Sequence, residues 1–122
     1  MASLLHTAGV KSVTELTEYL RVALEGDPNL HGVWVRGEVS NLTRAASGHI
    51  YFTVKDGGAQ LKCVMWKSAA IKQSFTPQNG AAVEAYGFIT VYAQRGEYQL
   101  QAERVRPVGV GDLYARFEAL KA

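Results

Sequence analysis

The sequence has little cysteine, no long hydrophobic run and no large excess of charge, and each scarcity excludes a class of protein. A single cysteine, Cys63, cannot form an internal disulfide, and its apolar neighbours predict a small buried residue instead of a nucleophile. No stretch approaches the length of a membrane-spanning helix, and the first ten residues lack the basic region of a secretory signal. We therefore expect a cytoplasmic protein with no membrane partner.

The composition predicts one ordinary globular domain. The chain has 122 residues, of which 48% are hydrophobic and 20% are charged, so disorder is excluded as a class. The net charge of +2 does not by itself indicate a nucleic-acid-binding protein. Its distribution is more informative, because Asp56 is the one acidic residue in the range 43–75, which contains Arg44, Lys55, Lys62, Lys67 and Lys72. This basic segment suits phosphate contacts or a lysine-rich solvated surface, and both interpretations stay open.

The segments 33–41 and 49–56, joined through Ser47 and Gly48, predict an antiparallel hairpin. Apolar residues alternate with polar or amphipathic ones in both arms, which is the period of a half-buried strand. Gly37 interrupts the inward row and indicates a bulge or a sharp bend of the kind that lets a small barrel close. The outward row interleaves cations with aromatic rings, a pattern that suits a nucleic-acid strand, and consists of Trp34, Arg36, His49, Tyr51 and Lys55.

Helices are predicted on both sides of the strands. Ser12 and Glu15 have the spacing of a capping box, and an apolar stripe follows that predicts a packed surface helix, with Val13, Leu16, Leu20 and Leu24. The remaining elements are strands at 59–66, 81–92 and 98–105, a short helix at 68–75, and a last helix at 113–122 that Asp112 caps. The stripe of that last helix consists of Leu113, Phe117 and Leu120. Three outcomes stay open for this helix: it packs on the barrel near Val105 and Val108, it mediates self-association, or it frays.

Five strands with a helix between the third and the fourth match the order of the OB-fold, a Greek-key barrel. We therefore predict an all-β fold with flanking helices. In OB-folds the face of strands two and three, with the loops one-two and four-five, binds oligonucleotides or oligosaccharides. The chain is expected to divide into a loose tail at 1–11, the OB-fold domain at 12–108, and a hinge and connector helix at 109–122.

Several separated blocks of the sequence, in the right order, resemble the N-terminal domain of the exodeoxyribonuclease VII large subunit, and they lie at 12–16, 33–41, 47–56, 64–66 and 95–100. The resemblance implies a bacterial cytoplasmic nuclease that degrades single-stranded DNA from both ends and is assembled from one large and several small subunits. It also implies that the OB domain binds DNA, while the catalytic centre lies in a following domain to which the last helix leads.

The acidic residues and histidines do not form a recognisable catalytic set. The carboxylates lie on different predicted strands and loops, without the pairing that a two-metal phosphodiesterase site needs, and include Glu38, Asp56, Glu84, Glu97 and Glu103. His6 and His31 have no partners at metal-ligand spacing, and Gly109 and Gly111 belong to no phosphate-binding loop. We expect no cofactor, no metal and no catalytic residue in this chain.

The candidate nucleic-acid-binding residues are the aromatic and basic side chains of the predicted outer face and of the four-five loop, namely Arg36, His49, Tyr51, Lys55, Lys62, Trp66, Arg95 and Trp34. Alternatives stay open for several of them: helices can cover the two tryptophans, and Glu38 and Glu84 can form surface salt bridges with Arg36 and Lys62. Two other functions also stay open, a stand-alone OB module of the strand-binding or anticodon-binding type and a protein-interaction domain.

Overall fold

A computed structural model describes residues 9–109, and the first helix begins as the sequence predicts. Helix α1 spans Val13–Glu25. The Glu15 amide donates to Ser12 Oγ at 3.0 Å, and the Ser12 amide donates to Glu15 Oε1 at 2.7 Å, which confirms the capping box. A single turn of 3₁₀-helix, Pro28–Leu30, then leads into the first strand. No helix among the described residues is long and apolar enough to cross a membrane.

Five strands and one short helix make up the rest, and they occur at β1 His31–Arg44, β2 Ile50–Lys55, β3 Gln60–Met65, α2 Lys67–Ala70, β4 Ala82–Tyr92 and β5 Glu97–Pro107. Helix α2 is therefore shorter than the predicted helix at 68–75. After Ala70 the backbone bonds join residues three apart, from Lys72 N to Ala69 O and from Gln73 N to Ala70 O. The Gln73 carboxamide donates to Val105 O at 2.7 Å and accepts from Val105 N at 3.1 Å, which ties this segment to the backbone of β5.

The strands close into a barrel in the order β1-β2-β3-β5-β4, which confirms the predicted OB-fold. Strand β3 pairs with β5 in parallel, while the other pairs are antiparallel. The long strand β1 takes part in both halves, because Glu38 faces Lys55 of β2 on one side and Ala82 of β4 on the other. Gly37 lies at this change of partner, where an added Cβ would be 2.9 Å from Lys55 O. The pairing of β1 with β4 runs through Gly37 without a shift, and the shift of β1 against β2 lies between Ser40 and Thr43, so the predicted bulge is not at Gly37.

The inward row of every strand meets in one apolar core, as the alternation predicts, and this core includes Val39, Phe52, Val54, Cys63, Met65, Val83, Ala85, Ile89, Leu100 and Val105. Burial raises the pKa of the Cys63 thiol to about 12, so the side chain is a packed apolar group and not a nucleophile. Gly87 lies where β4 and β5 come closest, since a Cβ there would be 2.0 Å from Gln101 O. The pairing of the two strands shifts between Tyr86 and Gly87, which places a bulge at this point.

The expectation that α1 is a packed surface helix is wrong for most of its length. No residue of α1 is buried, and Val13 is 84% exposed, with Leu16 and Leu20 also exposed. Only the C-terminal end is held, where Glu25 Oε2 accepts from the Val91 amide of β4 at 3.0 Å. The spacing of the apolar residues thus predicted the helix correctly, but it did not predict that their side chains would stay exposed. The predicted helix at 113–122 and most of the predicted tail at 1–11 lie outside the described residues.

Candidate nucleic-acid interface

A groove of about 670 Å³ opens on the barrel side formed by β2, β3 and the end of β4 that leads into β5. It is lined by side chains from all of these elements, namely Asn41, Tyr51, Phe52, Thr53, Lys62, Cys63, Val64, Trp66, Tyr92, Arg95, Glu97 and Gln99. This is the side on which the OB-fold binds oligonucleotides or oligosaccharides. It therefore brings together four of the predicted site residues: Tyr51, Lys62, Trp66 and Arg95.

The aromatic side of the groove is a row of rings that support one another edge to face. Tyr51 and Trp66 are 41% and 38% exposed, and their ring centroids lie 6.4 Å apart at 89°. His49 meets the Trp66 ring at 5.0 Å and 81°, and its Nδ1 accepts from the Lys67 amide at 2.9 Å. These contacts fix the orientation of Trp66 while leaving both Tyr51 and Trp66 partly open to solvent. Rings held in this way can stack on unpaired bases.

The floor beneath these rings is more deeply buried than the alternation predicts. Val64 is only 2% exposed and Thr53 is also buried, although both lie in the outward rows. Val64 pairs with Tyr51 across β2 and β3, so the two aromatic side chains shield it. The groove therefore has an apolar floor between its polar edges, which suits the face of a base more than a phosphate.

The groove also carries charges. Lys62 Nζ lies 3.5 Å from Glu97 Oε1, and both side chains are well exposed, so this ion pair is weak and easily exchanged. Arg95 is exposed within the turn between β4 and β5, and it forms no ion pair within residues 9–109. Two cations and two aromatic side chains thus line one groove. Aromatic rings stack on bases while cations neutralise phosphates, so this lining matches a single strand.

Sequence reasoning missed several groove residues, notably Asn41, Tyr92, Glu97 and Gln99. Asn41 has φ of 53°, the one positive value for a non-glycine residue in the described range, and it lies where the pairing of β1 with β2 shifts. Asparagine tolerates this left-handed conformation better than most residues, which is a signal that the sequence did contain. Tyr92 and Glu97 flank the predicted four-five loop, but only the barrel closure shows that they turn toward β3.

Two predicted site residues, Trp34 and Arg36, lie on a different surface from the groove. Both belong to the part of β1 that pairs with β4, where Trp34 is opposite Tyr86 and Arg36 is opposite Glu84. The next strand adds Arg104 and Arg106 to the same two rows. We call this surface the aromatic-arginine ladder, and it consists of Trp34, Tyr86 and Arg104 in one row and Arg36, Glu84 and Arg106 in the other.

The charges of the ladder are arranged around one buried carboxylate. Glu84 Oε1 accepts from Arg106 Nε at 2.9 Å, and Glu84 Oε2 accepts from Arg36 Nη2 at 2.6 Å. The hydrogen bond from Arg36, followed by that from Arg106, lowers the pKa of Glu84 below its ordinary value. The pair of Arg36 with Glu84 confirms one of the pairings left open by the sequence, while Lys62 pairs with Glu97 and not with Glu38 or Glu84.

The last two predicted site residues lie at the margins of the groove. Lys55 is exposed at the end of β2, opposite Gln60 of β3, and it does not line the groove. His49 contacts Trp66 from behind, so it acts on the groove through that ring. Within residues 9–109, no group of three or more His, Cys, Asp or Glu side chains is placed to hold a metal ion.

Comparison with known proteins identifies the fold and its relatives. Residues 11–106 match the model of a family described as an OB-fold nucleic acid binding domain. Among solved structures, a replication protein A heterotrimer bound to ssDNA is similar at a TM-score of 0.54 and 22% identity, over 76% of this chain and 69% of that one. A putative aspartyl-tRNA synthetase from Leishmania major Friedlin has the same TM-score at 16% identity, over 71% of this chain and 20% of that one. These two likenesses concern the fold.

Much greater identity is found to the large subunit of exodeoxyribonuclease 7. The protein from Clostridium botulinum is 46% identical over 90% of this chain and 27% of its own length. The protein from Geobacter metallireducens is 48% identical over 92% of this chain and 24% of its own length. The protein from Neisseria meningitidis serogroup B is 47% identical over 93% of this chain and 25% of its own length. The chain thus spans about a quarter of these relatives, in their N-terminal region. The resemblance seen in the sequence is confirmed, and the chain belongs to the family of OB-fold nucleic acid binding domains.

Proposed function

We propose that the groove binds single-stranded DNA by backbone charge and base stacking, with little sequence preference. The observation that carries the proposal is that aromatic and basic side chains line one groove: Tyr51 and Trp66 together with Lys62 and Arg95. Base stacking on aromatic rings tolerates any sequence, while lysine and arginine neutralise phosphates. The structure of replication protein A bound to ssDNA supports the proposal by analogy of fold.

The relatives extend the proposal to the protein in which this domain works. These relatives are large subunits of exodeoxyribonuclease 7, so we propose that the chain belongs to such a subunit, which would degrade single-stranded DNA from both ends together with small subunits. The domain would deliver the strand to a catalytic domain, with 1–11 as a tail, 12–108 as the binding unit and 109–122 as the connector. Self-association through the connector stays part of this proposal. A cytoplasmic location is part of the same proposal, and the single buried Cys63 needs no oxidising compartment.

A titration at two salt concentrations tests the proposal. Labelled oligo-dT of about 5 nucleotides should bind, since OB domains occupy about 4–16 nucleotides. Because the groove offers Lys62 and Arg95, the slope of log K against log salt should lie between roughly −1 and −2. The absence of binding at low salt, or binding that ignores salt, contradicts the proposal.

The same titration separates the two other functions. A protein-interaction domain would bind neither DNA nor RNA, whereas a domain of the anticodon-binding type would bind oligo-rU of the same length more tightly than oligo-dT. Incubation of the chain with labelled single-stranded DNA and magnesium tests for nuclease activity in the domain itself. We expect no cleavage, because within residues 9–109 no acidic or histidine cluster is placed to hold a metal ion.

A further inference from the structure

The aromatic-arginine ladder is a second surface with the chemistry of strand recognition, and it lies away from the groove. Trp34 and Asn41 are seven positions apart on β1, which corresponds to roughly 23 Å along an extended strand. Asn41 lines the groove, while Trp34 faces β4. The two surfaces are thus joined by one strand but do not overlap.

Aromatic rings and guanidinium groups in the ladder hold one another in place. The rings of Trp34 and Tyr86 have centroids 5.0 Å apart, at 46°. The guanidinium carbon of Arg106 lies 3.7 Å from the centroid of the Trp34 ring, and that of Arg104 lies 4.8 Å from the centroid of the Tyr86 ring. Such stacking reduces the rotamer freedom that an arginine would lose on binding a ligand.

Arg104 is the residue of the ladder that is most clearly prepared for an anion. It is exposed on β5 and stacks on Tyr86, yet within residues 9–109 it has neither an ion pair nor a hydrogen bond through its side chain. Arg36 and Arg106, by contrast, both bond to Glu84. An arginine that is fixed by rings and lacks a carboxylate partner in the described part of the chain is suited to a phosphate oxygen.

The ladder carries an excess of positive charge, and two further glutamates lie near it. Three arginines face one glutamate within it, so the ladder itself is positive. Glu103 is exposed beside Arg104, and Glu38 lies further along β1, opposite Lys55 of β2. These two glutamates reduce the positive field but occupy no N–H group of Arg104, since neither forms an ion pair with it.

We infer that the aromatic-arginine ladder binds the continuation of a long single strand of nucleic acid whose first nucleotides occupy the groove. The inference rests on the proposed function of the groove and adds a second contact to it. Phosphates of the continuing strand meet Arg104, and a base stacks on an exposed guanidinium plane or contacts the exposed edge of Trp34, which is 39% exposed. The site then reaches the upper part of the range of about 4–16 nucleotides that OB domains occupy.

Two strand lengths and three variants test this inference. The chain, Arg104→Ala, Trp34→Ala and the control Lys72→Ala are titrated with oligo-dT of about 5 and about 15 nucleotides. Lys72→Ala removes one positive charge at an exposed position that belongs to neither surface. Arg104→Ala and Trp34→Ala should each weaken binding of the longer strand at least about fivefold and leave the shorter strand unchanged, while Lys72→Ala changes neither.

The outcomes separate this inference from the proposed function. If Arg104→Ala leaves the longer strand unaffected, or weakens both lengths equally, the inference is overturned and the ladder is better explained as a site for a protein partner. If the unmodified chain does not bind the shorter strand, the proposed function of the groove fails first. Should Trp34→Ala lower the melting temperature, Arg104→Ala alone decides, because its side chain lies outside the core.

Discussion

The groove and the aromatic-arginine ladder use the same residue types in opposite ways. In the groove, Tyr51 and Trp66 meet edge to face, and the ion pair between Lys62 and Glu97 is 3.5 Å long and exposed. In the ladder, guanidinium groups stack on the rings, and Glu84 bonds to two arginines at shorter distances. Charges that are loosely paired are available to a ligand, while tightly paired charges mainly stabilise the sheet. Residue type alone therefore does not show which cation is available to a ligand: Arg36 and Arg106 pair with Glu84, whereas Arg104 of the same ladder has no ion pair within residues 9–109.

The largest effect should follow from a substitution at Gly87, which disturbs the groove and the ladder at once. The bulge between Tyr86 and Gly87 lies between the groove part of β5 and its ladder part. A Cβ at position 87 would lie 2.0 Å from Gln101 O, so Gly87→Ala should destabilise the fold by about 1–3 kcal/mol or more. Urea unfolding measures this loss. Gly57→Ala is the control, since nothing lies within 4 Å of its Cβ, and a loss as large there would contradict the steric explanation.

The next largest effect should fall on the groove alone. Tyr51→Ala removes one exposed ring, and stacking on such a ring contributes about 1–3 kcal/mol per base. Affinity for a short oligo-dT should therefore fall by about 5-fold to 150-fold. Fluorescence anisotropy provides the measurement, and Tyr19→Ala is the matched control, because Tyr19 is exposed on α1 away from the groove. Equal losses in the two variants would show that the groove is not the site of stacking.

A smaller effect is expected when the weak ion pair between Lys62 and Glu97 in the groove is removed. Glu97→Gln removes the carboxylate that pairs with Lys62, so the lysine is then available to a phosphate. Exposed pairs contribute up to about 1 kcal/mol, which predicts binding of oligo-dT that is tighter by up to about fivefold. Glu18→Gln breaks a comparable exposed pair with Arg21 on α1 and should leave the affinity unchanged. Weaker binding by Glu97→Gln would mean that Glu97 itself supports the strand.

The smallest expected effect concerns the ladder and depends on pH. The pKa of Glu84 is lowered in the folded state, first by the hydrogen bond from Arg36, so its contribution to stability is present above the ordinary value of 4.5. That contribution is lost as the pH falls through 4.5 toward the lower pKa of the folded state. Thermal unfolding should therefore show Glu84→Gln less stable than the unmodified chain at pH 7, with the difference shrinking below pH 4.5.

The control for this prediction is a glutamate on the neighbouring strand β5, whereas Glu84 lies on β4. Glu103 is exposed and forms no ion pair within residues 9–109, so Glu103→Gln should follow the unmodified chain at every pH. A difference for Glu84→Gln that stays constant from pH 7 to pH 3 would show that its two arginines do not act through the charge of the carboxylate.

Most of the secondary-structure elements and the apolar core of this protein were predictable from the sequence alone. The alternation of apolar and polar residues has the period of a strand, so the buried partners Val39, Phe52 and Val54 were predictable without any knowledge of tertiary contacts. The capping box of Ser12 and Glu15 was predictable for the same reason, since it depends on residues three positions apart. The strand order then indicated the barrel, because an OB-fold has a helix between its third and fourth strands.

Only the tertiary structure decided which outward residues share a surface. Strand β1 changes partner next to Gly37, so Trp34 faces Tyr86 of β4 while Asn41 reaches the groove. The sequence places both residues on one strand but contains no local signal for the direction of each half. The same holds for Glu97, which meets Lys62 because β3 and β5 are neighbours in the closed barrel. Side chains alternate locally, whereas neighbouring surfaces depend on barrel closure, which joins strands that are distant in sequence.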